Sequence, residues 1–387
     1  MSRPLRVFLI AGEPSGDKLG AALMEGLKSL APGVTFSGVG GPRMEEQGLS
    51  SRFPMEELSV MGLTEILPKY LPLRRRMIET ADAVISEAPD VLITIDSPEF
   101  CLRVARRVKA ASDIRTVHYV APSVWAWRPK RATHMARFID HVLALLPFEP
   151  PYMSAAGMRC DFVGHPVVTD PQASPEESAT LSAELGLGDA PTLLLLPGSR
   201  GSELKRLLPI FGETVARLLA ERPDLRLILP VATPRGLPLV RDAVAGWARA
   251  PDLIDPTAPD YAARKRAAFA LSDAALAASG TVSLELAAAG TPMVIAYDMS
   301  PLSRMILSRM LRIDTVTLVN LVSETRQVPE FIGAACQPDR IAPAVSSLLI
   351  APEPQQEALR LTMERLGRGG EAPGLRAARA VLDGLGR

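Results

Sequence analysis

Arg6-Val7-Phe8-Leu9-Ile10-Ala11, running into Gly12-Glu13-Pro14-Ser15-Gly16-Asp17, decides the fold class. The first six residues read as a buried strand, the next six as a small-residue turn, and the apolar-periodic segment from Asp17 to Leu30 as a helix. A second strand fits Val34 to Val39 and ends in Gly40-Gly41-Pro42. Strand, glycine turn, helix and strand open a parallel α/β sheet.

Working outward, Val91 to Ile95 is another strand, ending at Asp96. A helical segment from Phe100 to Ala110 and a strand from Thr116 to Val120 follow. Val142 to Leu146 and Phe162 to Val163 complete the half. Residues 167 to 190 change character, with Pro171, Pro175 and several Ser, Ala and Glu residues around a short helical candidate, which reads as a boundary. The rhythm then restarts with strand Thr192 to Leu196, helix Glu203 to Ala220, strand Leu225 to Val231, strand Asp273 to Ala278, helix Val282 to Ala289 and strand Pro292 to Tyr297. Two βα series of similar length predict two doubly wound Rossmann-like domains facing across a cleft rather than one TIM barrel. The expected division is 1–167, a linker 168–190, a second domain 191–350, and C-terminal helices 351–387 that have the first domain as one possible seat.

Composition agrees with that size. The 387 residues exceed what one core usually supports, about 250–300 residues. Lys+Arg and Asp+Glu are both 43, so net charge offers no reason for binding nucleic acid. Cys101, Cys160 and Cys336 are too few and too scattered for a disulfide framework or a zinc site, and a reducing interior is expected. No signal peptide or spanning helix is predicted, which leaves peripheral membrane contact open.

Polar residues at strand ends are the candidates for chemistry. The Gly12 to Asp17 turn matches neither the dinucleotide fingerprint nor a P-loop, so it is either a plain βα turn or a ligand edge bearing Glu13. Ser15 or Asp17 could cap the helix. Asp96, in Thr94-Ile95-Asp96-Ser97-Pro98-Glu99, either caps the following helix or takes a proton from a sugar hydroxyl as general base. Glu99 reads as a first-turn dipole partner. His118 to Arg128 carries two of the chain's three tryptophans, Trp125 and Trp127, which either anchor a core or wall a site for a sugar or acyl chain. His118 and His165 are ambiguous, and the histidines form no metal pattern.

In the second half, Arg200 within Pro197-Gly198-Ser199-Arg200-Gly201-Ser202-Glu203 is either a surface side chain or a planar phosphate donor. Ala278-Ser279-Gly280-Thr281-Val282-Ser283-Leu284-Glu285 puts small residues between a strand and a helix, where backbone N–H groups and the positive helix end can hold a diphosphate. With Thr281 as N-cap the capping-box acid belongs at 284, which is leucine. Glu285 therefore favours either the helix dipole or a pair of ribose hydroxyls. Val60, Met61, Leu63, Ile66 and Leu67 precede Arg74, Arg75 and Arg76, a mix that suits either anionic lipid or an ordinary helix with a basic face. Pro68 and Pro72 argue against a single helix there.

Taken together, Ala11 to Asp17, Gly41-Pro42-Arg43-Met44, Val60-Met61-Gly62, Ile95 to Pro98, His118 to Arg128, Leu196 to Gly201 and Ala278 to Thr281 closely resemble the lipid-A-disaccharide synthase family, in order from about residue 6 to 331. The resemblance implies an inverting glycosyltransferase of the GT-B fold. Such enzymes transfer 2,3-diacylglucosamine from its UDP conjugate to 2,3-diacylglucosamine 1-phosphate, giving the β-1,6-linked disaccharide and UDP. It implies Asp96 as base and Arg200 as phosphate ligand. It further implies Ser279, Gly280 and Thr281 as the diphosphate loop, Glu285 at the ribose, and Asn320 in Leu318-Val319-Asn320-Leu321 as a cleft residue. Glu13, Ser15, Gly16, Asp17, His118, Trp125 and Trp127 fall on the acceptor side. No metal or other cofactor is implied, and the resemblance carries a homodimer and peripheral association with the cytoplasmic face of the inner membrane. The chain departs from the family at Glu99-Phe100-Cys101, often Asp-Phe-Asn, and at Val322 to Arg326, often beginning Ala-Gly-Arg-Glu. Another UDP-sugar enzyme, such as an epimerase or hydrolase, and a non-enzymatic lipid or nucleotide sensor are the rival readings.

Overall fold

The computed structural model describes residues 3–58, 63–127, 130–299 and 313–387, with the backbone alone for 63–70. The chain divides into two compact units, Met1–Thr169 together with Leu366–Arg387, and Asp170–Arg365.

The first unit is built on six parallel strands, β1 (Arg6–Ala11), β2 (Thr35–Val39), β3 (Val91–Ile95), β4 (Arg115–Tyr119), β5 (His141–Ala144) and β6 (Arg159–Phe162), in the order β2-β1-β3-β4-β5-β6. Its principal flanking helices are α1 (Pro14–Leu30), α2 (Pro42–Glu46), α3 (Leu63–Glu87) and α4 (Pro98–Ala111), followed by the short α5 (Lys130–Met135) and α6 (Pro150–Ser154). Strand side chains alternate between faces. Val7, Leu9 and Ala11 join Leu19, Leu23 and Leu27 of α1 on one side. Phe8 and Ile10 join Val104, Ala105 and Val108 of α4 on the other. Both faces are buried, which is why β1 reads as an almost unbroken apolar run.

The chain runs from β1 outward to β2 and then returns to β3 on the opposite side of β1. Between β1 and β3 the strand order reverses, and their following helices lie on opposite faces. Open α/β sheets bind ligands at the carboxyl ends of the strands beside such a reversal.

The second unit repeats the plan with β7 (Thr192–Leu196), β8 (Arg226–Pro230), β9 (Asp252–Ile254), β10 (Ala274–Ala277), β11 (Met293–Tyr297) and β12 (Glu330–Ile332), ordered β12-β11-β10-β7-β8-β9. Its helices include α7 (Pro175–Leu185), α8 (Gly201–Glu221), α9 (Leu237–Val244), α10 (Tyr261–Leu271) and α11 (Val282–Ala289). Leu193 and Leu195 of β7 pack with Leu207, Phe211 and Val215 of α8. Here the reversal falls between β7 and β10, so the glycine turns after these two strands are neighbours.

One finding differs from the sequence reading. Helix α3 continues through Pro68 and Pro72 as one element of 25 residues. A proline costs a helix one backbone hydrogen bond, and Pro72 is exposed, where water can take the freed carbonyl. The C-terminal segment does not act as one block. Helix Glu353–Arg365 lies in the second unit, whereas helix Pro373–Leu385 lies in the first, against α1. Glycines set that approach: a Cβ on Gly26 would stand 2.7 Å from the Gly374 carbonyl oxygen, and one on Gly374 2.5 Å from that of Ala22.

Candidate active site

The edge of the first unit is formed by the turns after β1 and β3, which the register Ala11↔Ile95 brings side by side. Asp96 and Ser97 both have left-handed backbones, with φ of 49° and 41°. Two consecutive non-glycine residues there cost on the order of 1–3 kcal/mol each, a strain that clusters at functional sites. The Asp96 N–H donates to the Tyr119 carbonyl at 2.9 Å, which fixes the residue at the end of the sheet. Burial pushes the Asp96 carboxyl above its ordinary range, against the opposing pull of the Ser97 backbone N–H. Gly12 faces this turn so closely that a Cβ would lie 2.6 Å from Ser97 Oγ.

Cys101 sits beneath the turn, fully buried, with Sγ 3.9 Å from the carbonyl oxygens of both Ile10 and Ile95. Cys101, where the family that the chain resembles often has asparagine, is therefore interior. A residue there acts on ligands through the packing under Asp96.

Asp17 requires correction. Instead of facing a ligand, its carboxylate is 3% exposed and accepts the backbone N–H groups of Gly41 at 2.9 Å, Arg43 at 3.0 Å and Met44 at 3.0 Å. It thus caps the N-terminus of α2, a helix distant in sequence. Gly16 is buried against the sheet, where a Cβ would meet Ala11 Cβ at 3.4 Å and the Ile95 carbonyl oxygen at 3.5 Å. Ser15 is exposed and Glu13 half-buried at the start of α1.

His118 is also interior. Its Nδ1 lies 2.8 Å from Thr94 Oγ1, and burial, aided by Arg131, holds its pKa down to about 3, so the ring is neutral. The apolar face of β3 and β4 leaves no room for an imidazolium. His165, on the same unit, caps Val167 by accepting its N–H on Nδ1 at 3.2 Å.

The two tryptophans separate. Trp125 is half-buried, edge-on to Phe148 with ring centroids 5.1 Å apart, and donates its indole N–H to Glu149 at 3.3 Å. Trp127 is 38% exposed, its indole N–H directed to Ser123 Oγ at 3.4 Å. Glu149 itself is buried, and that burial pushes its carboxyl up to about 7.

In the second unit, the register Leu196↔Ala277 sets the Arg200 turn beside the Ser279 turn. Glu203, almost buried, reaches back to accept the N–H groups of Ser199 and Arg200, both at 3.2 Å, and the Arg200 guanidinium at 2.8 Å. The guanidinium is tethered but 65% exposed, so its remaining donors face solvent. Acid at the third helical position is a capping signal that the sequence carries openly.

Gly280, φ 157°, and Thr281 are exposed ahead of α11, and Ser279 is half-buried. A Cβ on Gly280 would meet nothing within 4 Å. Thr281 is the N-cap but its side chain makes no capping bond; the Ser283 and Leu284 N–H groups turn back to the Gly280 and Thr281 carbonyls at 3.3 and 2.9 Å, so it is the backbone ahead of them, at Gly280 to Val282, that can meet an anion. Glu285, on the same turn, accepts from Lys265 Nζ at 2.6 Å. Lys265 stands 20 residues away in sequence, on α10, and no local pattern announces it.

Asn320 does not face outward. It is fully buried, and its side chain donates to the Val328 carbonyl at 2.9 Å and Thr315 Oγ1 at 3.2 Å while accepting the Val328 N–H at 3.0 Å. The amide pairs with Val328 as a strand neighbour would, tying helix Leu318–Ser323 to the approach of β12.

The basic segment is likewise partly spoken for. Arg76 donates to Glu57 at 2.7 Å and to Glu79 at 3.1 Å, and its guanidinium lies 4.6 Å from the Phe53 ring centroid, so it braces α3 rather than facing lipid. Arg75 pairs with Glu79 at 2.8 Å but remains exposed, as do Arg74 and Leu71. Val60 and Met61 lie outside the described residues, as do the side chains of Leu63, Ile66 and Leu67. Among the described residues no helix is long and apolar enough to cross a membrane, and no cluster of His, Cys, Asp and Glu is placed to hold a metal ion.

The sequence profile described as "Lipid-A-disaccharide synthetase" matches residues 7–370. The lipid-A-disaccharide synthase of Ruegeria pomeroyi is 66% identical over 386 residues, covering 99% of this chain and 96% of that protein. The one from Rhodospirillum centenum is 47% identical, covering 98% and 95%. Among solved structures, the glycotransferase of kitacinnamycin aligns with a TM-score of 0.61 at 16% identity over 99% of both chains. The UDP complex of S. aureus MnaA aligns with a TM-score of 0.64 at 12% identity, covering 97% and 95%. At such identities these neighbours speak to the fold, two parallel six-stranded sheets of the GT-B type. With a profile match across nearly the whole chain and full-length relatives of this similarity, the chain belongs to the lipid-A-disaccharide synthase family, the glycosyltransferases of lipid A biosynthesis.

Proposed function

We propose that the first unit takes 2,3-diacylglucosamine 1-phosphate as acceptor and the second takes the UDP conjugate of 2,3-diacylglucosamine as donor. The Asp96 carboxylate removes the proton of the acceptor 6-hydroxyl as that oxygen attacks the anomeric carbon. The bond from that carbon to the UDP oxygen breaks with inversion, giving the β-1,6-linked disaccharide 1-phosphate and UDP. The observation that carries this reading is the strained Asp96–Ser97 pair beside the strand-order reversal, with a carboxyl that burial makes more basic.

On the donor side, Arg200 and the uncapped turn at Gly280 and Thr281 offer guanidinium and backbone N–H donors to the departing diphosphate. Glu285, steadied by Lys265, is placed on the same turn to accept ribose hydroxyls. On the acceptor side, Glu13 lies in the turn beside that of Asp96, and Trp127 in the loop that follows β4. Asp17, Gly16 and His118 support the first unit from inside, and Asn320 the second. Nothing in the arrangement of the described residues favours the rival reading of an epimerase.

Purified protein, given the UDP donor and the acylated monosaccharide 1-phosphate in detergent, is expected to release disaccharide 1-phosphate and UDP in equal amounts. UDP release independent of acceptor, or a donor converted without disaccharide, would replace this reading by hydrolysis or epimerisation.

We also propose peripheral association with the inner face of the inner membrane through the first part of α3. Leu71 is 72% exposed beside exposed Arg74 and Arg75, an arrangement suited to anionic lipid. Flotation with vesicles containing anionic phospholipid is expected to recover the protein at low salt and to lose it as salt rises. Equal recovery with neutral vesicles would remove the electrostatic part of this proposal.

A further inference from the structure

The loops after β4 and β5 meet at a carboxyl that plays no part in the proton transfer. Glu149 is 3% exposed, and its bonds come from neutral donors: the Leu146 N–H at 3.0 Å and the Trp125 indole N–H at 3.3 Å. An interior carboxyl held this way is expensive, and burial lifts it accordingly to about 7. Burial pushes the Cys160 thiol on β6 up as well, and the nearby Glu149 carboxylate adds to that. An apolar residue would fill the same space at less cost, so the carboxyl calls for a role that only an acceptor can perform.

We propose that Glu149 is a positioning residue for the acceptor: by accepting the Trp125 indole from beneath, it locks the 121–127 turn so that Trp127 presents its ring at the ligand edge of the first unit. The Phe148 ring meets Trp125 edge-on, at an interplanar angle of 89°, which confines the plane of the indole. The N–H bond to Glu149 then selects which edge of that ring points inward. Trp127 is two residues further along the same turn, and its own N–H points back to Ser123, closing it. A part-exposed indole in the loop that follows β4, at the same end of the sheet as Asp96, suits the apolar face of a sugar or an acyl chain.

This inference rests on the reading that the first unit receives the acceptor, and a double-mutant cycle separates the two. Glu149→Leu and Trp125→Phe are each expected to raise the acceptor KM by about tenfold, as loss of one hydrogen bond to a carboxylate would, with the donor KM unchanged. The double variant is expected to be no worse than Glu149→Leu alone, which already removes the Trp125 bond together with the one from the Leu146 N–H. Glu149→Gln, which keeps one acceptor oxygen, is expected to fall between Glu149→Leu and the parent. Fully additive effects on acceptor KM would overturn the proposal. A second measurement needs no activity: in a Trp127→Phe, Trp247→Phe background only Trp125 emits, and Glu149→Leu is expected to shift that emission and its quenching by acrylamide. Unchanged emission overturns the positioning role even if catalysis is as proposed. Failure of the parent protein to form disaccharide sinks the function, while the emission still decides the contact.

Discussion

Asp96→Asn is expected to lower kcat by about 10²–10⁴-fold, the usual range for loss of a general base, with donor KM and thermal unfolding close to those of the parent. Asparagine keeps the size of the side chain and is, after glycine, among the residues that tolerate a left-handed backbone best, so the φ of 49° is no obstacle. What it lacks is basicity. The pH dependence distinguishes this loss from a misplaced loop. Burial raises the Asp96 pKa, so the active carboxylate is lost on acidification at a higher pH than an ordinary aspartate would allow. The parent's rate should therefore fall on its acidic side above the normal carboxylate range, and the residual rate of the variant should lack that fall. The same shift has a sign for stability. A carboxyl with a raised native pKa disfavours the folded state once it is ionised, so the neutral amide should leave the first unit as stable as the parent, or more so, at neutral pH. Near-parental turnover in the asparagine variant would remove Asp96 from the mechanism.

Asp17→Ala is expected to do the opposite: little to the chemistry of a folded molecule, but a large loss of stability in the first unit. Three backbone N–H groups lose their acceptor, two of them on the buried residues Gly41 and Met44. Each unsatisfied buried group costs about 1–3 kcal/mol, and with water able to reach Arg43 the sum is roughly 3–5 kcal/mol. In a Trp247→Phe background, indole fluorescence reports the first unit alone, and its urea midpoint should drop while the transition of the second unit stays in place. Asp17→Asn, with one acceptor oxygen instead of two, should lose less. An unchanged midpoint for the alanine variant would show that the cap at α2 carries little of the fold.

The strands were the most legible part of the sequence. β1, β3, β7 and β10 announce themselves because both sheet faces are covered, so nearly every position is apolar or small, and a glycine turn follows β1, β7 and β10. β9 and β12 pass unnoticed, because Asp252–Ile254 and Glu330–Ile332 are edge strands of three residues, too short to show a period. Site residues are legible to the extent that their partners are local. The Thr281 turn and the Glu203 tether follow from spacing along one helix. Asp17 and His118 draw attention as polar letters near strand ends, and Asn320 through the resemblance alone, but their partners arrive from other elements: the backbone of α2, the hydroxyl of Thr94 and the main chain of Val328. A polar residue near a sheet edge does not disclose whether it faces ligand or supplies the missing half of a buried hydrogen bond.

The return of helix Pro373–Leu385 to the first unit bears on the order in which the molecule can be completed. A ribosome delivers residues 170–365 in one uninterrupted run, so the second unit has all of its chain in hand as soon as that run has emerged. The first unit, although begun earlier, lacks until later the helix that covers Leu23 and Leu27 of α1. The part of the protein that starts first is thus the part that finishes last, and in the interval the apolar face of α1 stands uncovered.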